Sequence, residues 1–174
     1  ARLVAACVTD LEAVGGRSAV NDAVRLIEVM ERDRRRQLVG ELCDGAALRE
    51  HHRDTFTLSL DLMLLAGRCD LRAVDVPELV DALGWCSTVR DLDEDLAKGL
   101  VNIPSEVVAR ALPTNPASWS TLATDPQVQA WLVAEGELAR GWLAVTEQRL
   151  DGFADRRGAG VGHVCAHVVE DGGA

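Results

Sequence analysis

Arg90-Asp91-Leu92-Asp93-Glu94-Asp95-Leu96-Ala97-Lys98-Gly99-Leu100-Val101-Asn102-Ile103-Pro104 is the stretch of this chain from which both fold and chemistry are read. In a helix, Asp91, Glu94 and Asp95 stand at i, i+3 and i+4, so their side chains share one face about a turn apart. Like charges so spaced repel. A chain keeps them where water solvates them, or where a hard cation such as Mg²⁺ sits between the carboxylates. Lys98 then gives way to Gly99, a residue that ends helices, and Leu100 to Ile103 are expected to be extended ahead of Pro104.

The helix delivering this stretch has its own start signals: Asp75 as N-cap, Pro77 in the first turn and Glu78 completing a capping box. Backwards along the face of Asp91 it presents Ser87, Gly84 and Val80. Small residues leave room beside a helix, whereas Leu79, Ala82, Cys86, Val89 and Leu96 form a separate stripe for packing. Asp93 falls on another side and is expected in water. The pattern fits a helix lining a cavity with carboxylates at its rim. On spacing alone, an acidic helix end facing water fits equally well. Acids near a helix C-terminus oppose the macrodipole, a mild cost that a cation offsets.

Outward from this segment the apolar spacing is helical almost throughout. A first helix over 2–14 stops at Gly15-Gly16, and Ser18 caps a second that runs to about Leu42. A third spans Ala47 to Ala66, closed by Gly67. Beyond Pro104 a short helix from Ser105 to Leu112 precedes a loop from Pro113 to about Thr124. Asp125-Pro126 then opens a long helix to about Asp155, with Trp131, Leu138, Trp142, Val145 and Leu150 among its apolar positions. The expected fold is all-α: one helical-bundle domain over 1–174, whose natural site is the space between facing helices.

At 174 residues, 48% apolar and 26% charged, the composition is that of a globular chain. A net charge of −10 argues against nucleic acid as the partner, because such binding rests on Lys and Arg at phosphates. No apolar run is long enough to span a membrane, and the N-terminus is unlike a signal peptide, so the protein is expected in the cytoplasm, with any membrane contact peripheral. Cys7, Cys43, Cys69, Cys86 and Cys165 are scattered and odd in number, which fits reduced thiols.

Arg90-Asp91-x-x-Glu94-Asp95-x-x-x-Gly99-x-x-x-Ile103-Pro104 resembles the second aspartate-rich motif of the squalene/phytoene synthase family, and the likeness extends over about Val76 to Pro104. The resemblance implies a class I isoprenoid synthase fold, in which two acidic motifs on facing helices hold Mg²⁺ and bind prenyl diphosphates. It assigns Asp91, Glu94 and Asp95 to the metal and to catalysis, and Arg90, Lys98, Ser87 and Gly84 to the substrate side. The chain departs from the family at Leu100 and Asn102, where Arg and Tyr are common, and at Ser87 and Gly84, where Asn and Gln are often found. The family usually runs longer, so a member of this length is expected to lack N-terminal helices of the full fold.

The resemblance also requires a first acidic motif upstream, and no DxxxD pair stands there. Asp10-Leu11-Glu12 is nearest by position, but acids at i and i+2 point to different sides. Asp54 and Asp61 share a face with His51. Asp61 lies in the apolar run Leu58-Ser59-Leu60-Asp61-Leu62-Met63-Leu64-Leu65, so it is either a satisfied core acid or the carboxylate facing the metal helix. Arg32, Arg34, Arg35 and Arg36 read as a solvated helix face or as a diphosphate receiver. His163, Cys165 and His167 have a metal-like look but no upstream ligand pair.

The reaction so implied is a step of isoprenoid biosynthesis: an allylic diphosphate ionises and the double bond of a second prenyl chain attacks the cation, a head-to-head prenyl transfer. Cyclisation is disfavoured by an aromatic content of 3%. The alternative is a degenerate or truncated family member that acts as a non-catalytic helical binding or partner protein.

Overall fold

The computed structural model describes residues 2–111 and 119–157. Among them are five α-helices, α1 (Arg2–Val39), α2 (Gly45–Ala66), α3 (Pro77–Lys98), α4 (Ser105–Ala111) and α5 (Pro126–Arg157). Two short 3-10 helices, Ala73–Asp75 and Trp119–Thr124, complete the regular structure, and the described residues contain no strand. The expected all-α bundle is what forms. Leu112, residues 113–118 of the expected loop, and His163, Cys165 and His167 lie outside the described residues.

The helices pack in series, α1 on α2, α2 on α3 and α3 on α5, which makes α3 the central element. Its buried positions are Leu79, Val80, Ala82, Gly84, Thr88, Leu92 and Leu96. Near its start, Leu79 and Val80 join Leu60 and Leu64 of α2 and Leu71, Ala73 and Val76 of the intervening turn. Near its end, Leu92 and Leu96 join Val101, Ile103, Val107, Val108, Leu122 and Val128. Full burial of such side chains contributes roughly 1.5–3 kcal/mol each, so these two clusters fix α3 at both ends. Of the stripe expected to pack, Cys86 is only half-buried and Val89 is exposed.

Capping chemistry accounts for where the helices begin and end. Asp44 Oδ1 accepts the Ala47 amide at 2.8 Å and starts α2 ahead of the expected Ala47. Non-helical Gly16 breaks α1 where Gly15-Gly16 predicted a stop, although helical residues continue on both sides. The second part of α1 ends at Val39 rather than Leu42, closed by a bond from the Glu41 amide to the Arg36 carbonyl at 3.0 Å. Gly99 adopts φ 82°, ψ 14°, a left-handed conformation open to glycine at little cost, and the Leu100 amide returns to the Asp95 carbonyl at 2.8 Å.

The start of α3 differs from the expected capping box. Val76 is the N-cap, and Asp75 instead accepts the Arg72 amide at 2.9 Å within the preceding 3-10 turn. Glu78 accepts from Arg149 at 2.7 Å, fastening α5 to α3, and its carboxylate also takes its own amide in the first turn, without forming the expected box with Asp75. On α5, Leu138 and Val145 are exposed, while the contact face is made by Val128, Gly136, Ala139 and Thr146.

Close approach to α3 occurs at glycines. A Cβ added to Gly84 would lie 2.8 Å from Cβ of His52 on α2, and one added to Gly136 would lie 3.1 Å from the Trp85 ring. The room read beside Gly84 is therefore occupied by His52. Gly84→Ala is expected to destabilise the protein by about 1–3 kcal/mol through overpacking, measured as a lower denaturant midpoint. An unchanged midpoint would show that α2 can move away without loss.

Candidate functional site

The last two turns of α3 bring Asp91 and Asp95 to the side that faces α2, while Leu92 and Leu96 enter the core. Asp91 is held bidentately by Arg90, Nε to Oδ1 at 2.8 Å and Nη2 to Oδ2 at 2.6 Å, with the Ser87 hydroxyl donating at 3.4 Å. Asp95 is half-buried, and its Oδ2 accepts from Asn102 Nδ2 at 3.0 Å. Asn102 reaches it because the reversal at Gly99 sends Val101 and Ile103 into the core and turns the intervening side chain back toward α3.

From the other side Arg36 of α1 enters, only 7% exposed. Its Nη1 donates to Asp33 Oδ1 at 3.0 Å and to Asn102 Oδ1 at 3.3 Å, and its Nη2 donates to the Val101 carbonyl at 3.1 Å. Its Nε is buried with no hydrogen-bond partner among the described residues. His51 Nε2 of α2 lies 2.9 Å from the same Asp33 oxygen, and Gln37 Nε2 donates to the Lys98 carbonyl at 2.7 Å. One polar network thus joins α1, α2, the end of α3 and the segment after it.

The carboxylates of this network are held differently. Burial pushes the Asp95 carboxyl above its ordinary value, and the negative charges of Asp91 and Asp33 push the same way against the opposing Asn102 bond. Burial would also raise Asp33, but His51 and Arg36 outweigh it and hold that carboxyl low. Asp91 is held low by Arg90. Deeper between the helices, burial and the neighbouring His51 push His52 down to about 4, leaving it neutral at physiological pH.

The remaining candidates lie apart. Glu94 pairs with Lys98, and both side chains are more than half exposed, outside the face shared by Asp91 and Asp95. Asp61 does not face Asp91: its Oδ1 accepts the Ala73 amide at 2.6 Å, beside the turn that leads into the opposite end of α3. It is the satisfied acid of the two roles read for it, and the expectation of a metal ligand there is corrected. Asp54 binds Arg32 at 2.9 Å. Asp10 and Glu12 lie on α1 beyond the point where Gly15 meets Leu65 of α2. Among the described residues, no three His, Cys, Asp or Glu side chains converge as a metal site.

A separate cleft of about 40 Å³ between α2, α3 and α5 is lined by Trp85, Trp131, Trp142, His52 and Thr88. That volume suits water rather than a prenyl chain. Gly84 and Ser87 are not among its lining residues.

Arg36 stands in the sequence as part of a solvated face or a diphosphate receiver and Asn102 as a departure from the motif, and neither is expected to join Asp33 in a buried network. The signal was present in the spacing. Ala19, Asp22, Leu26, Val29, Asp33 and Arg36 recur at three and four residues, and the inward stripe of α1 continues through the charges.

Two measurements test this arrangement. Arg36→Met leaves Asp33 short of a buried cation and is expected to cost about 3–5 kcal/mol in equilibrium unfolding. A loss below about 1 kcal/mol would mean the network is dispensable. Because the Asp95 carboxyl is raised in the fold, its stabilising contribution is fully present below the unfolded value and is lost as pH rises through the folded one. Asp95→Asn should therefore raise the melting temperature at about pH 7 and give no gain near pH 3. A gain confined to low pH would contradict the assignment. Compared with protein-family models, curated proteins and solved structures, the chain gives no match.

Proposed function

We propose that the C-terminal end of α3 is the diphosphate-binding half-site of a Mg²⁺-dependent prenyl transferase that condenses isoprenyl diphosphates head to head. The observation that supports this reading is the pair Asp91 and Asp95 on one side of α3, with Asp95 half-buried among like charges that raise its carboxyl. A carboxylate so placed gains from a nearby cation.

The pair suits Mg²⁺, which takes one or two carboxylates and fills its other positions with phosphate oxygens and water. When bound, Mg²⁺ supplies charge stabilisation of a diphosphate leaving group. Asn102 and Ser87 orient Asp95 and Asp91 through their hydrogen bonds. Arg90 and Lys98, both largely exposed, can swing from their present carboxylate partners to phosphate oxygens. Glu94 lies on the exposed flank and does not join the ion; it pairs with Lys98 until that side chain turns to the phosphate.

A second reading has its own support. His52 fills the space at Gly84, and Asp91 is already neutralised by Arg90, as in a family member that binds a partner without turnover. The two readings part on ligand binding. Titration with a non-hydrolysable farnesyl diphosphate analogue should show binding that requires Mg²⁺ and weakens at least about tenfold in Asp91→Ala and Asp95→Ala. Absence of Mg²⁺-dependent binding in the unaltered protein would sink the enzyme reading.

A further inference from the structure

Among the described residues α1 packs chiefly along α2, and it reaches α3 near its end through the Gln37–Lys98 bond. Its inward stripe is used, but the outward face repeats the same three- and four-residue spacing through Val24, Ile27, Glu31, Arg34 and Leu38, with Glu31 at the rim of the α1–α2 cleft. Val24 is 50% exposed, Ile27 58%, the flanking Met30 63% and Leu38 74%. A row of large apolar side chains at seam spacing on a solvated helix is the pattern of an association surface.

The two charges within the row indicate what covers it. Parallel, in-register pairing with a second copy would set Glu31 on Glu31 and Arg34 on Arg34. Antiparallel pairing about a two-fold axis between positions 32 and 33 sets Glu31 of each copy opposite Arg34 of the other. The same register sets Ile27 opposite Leu38 on both sides of that centre, so acid meets base and apolar meets apolar. An isologous contact requires this self-complementarity. Glu31 is free to re-pair, since its 3.8 Å contact with Arg35 is between exposed side chains.

We propose that the chain forms a two-fold homodimer through the outward face of α1, antiparallel, with reciprocal Glu31–Arg34 pairs at its centre flanked by Ile27–Leu38 contacts. The face lies away from Asp33 and Arg36, so the dimer neither needs nor blocks the acidic site. Charge reversal tests the register by sedimentation equilibrium of the full chain up to about 0.1 mM. The unaltered protein should dimerise, whereas Glu31→Arg and Arg34→Glu should each dissociate at least about tenfold more readily, with unchanged circular dichroism. Mixing the two single variants in equal amounts, or combining both changes in one chain, should restore the dimer. The proposal is overturned by an unaltered protein that stays monomeric, by single reversals that leave the dimer intact, or by a mixture that fails to re-form it.

Discussion

The arrangement around α3 depends on a single buried cation. Arg36 brings a positive charge from α1 into a site walled by Asp33, Asn102 and the Val101 carbonyl, and the segment after α3 is thereby tied to a helix whose main packing is against α2. A buried guanidinium is expensive unless its donors are met. Here the two terminal nitrogens are bonded while Nε is not, so the pairing leaves part of the desolvation cost uncompensated. What the ion pair secures is position: α1, α2 and the Gly99 reversal are held in one register, and Asp95 sits where that register puts it.

The same constraint explains why neighbouring carboxylates have unlike properties. Asp33 has a buried cation and an imidazole on one oxygen, and Asp91 has a guanidinium from the adjacent residue. Asp95 has only an amide. Its charge is therefore the least compensated of the three, and it is the one a bound cation would relieve most.

How much of this was legible follows from where the information lies. Helices end at residues with local signatures, so Gly99, Gly67 and Pro77 marked boundaries correctly, whereas Asp44 and Asp75 could be told apart as caps only by which amide each side chain reached. The acidic motif announced a face, but spacing leaves open which flank of it turns inward. Residues at i+3 and i+4 diverge by about 60° and 40° to opposite sides of residue i. Because α2 lies on the Asp95 flank, Glu94 is left in water. Gly84 suggests room for a cavity beside the helix, but the space is filled by His52 of the neighbouring helix. Asp33 and Arg36 were hidden because charges interrupt the apolar pattern by which a buried stripe is recognised.

The amide of Asn102 lies between two ions of opposite sign, its oxygen toward Arg36 and its nitrogen toward Asp95. Guanidinium, amide and carboxylate are therefore aligned head to tail, and each polarises the next in the same sense. Rotating the amide by half a turn would set its oxygen against a carboxylate and its nitrogen against a cation. The side chain consequently has one orientation, which is set by the charges at its two ends and not by the backbone turn that carries it.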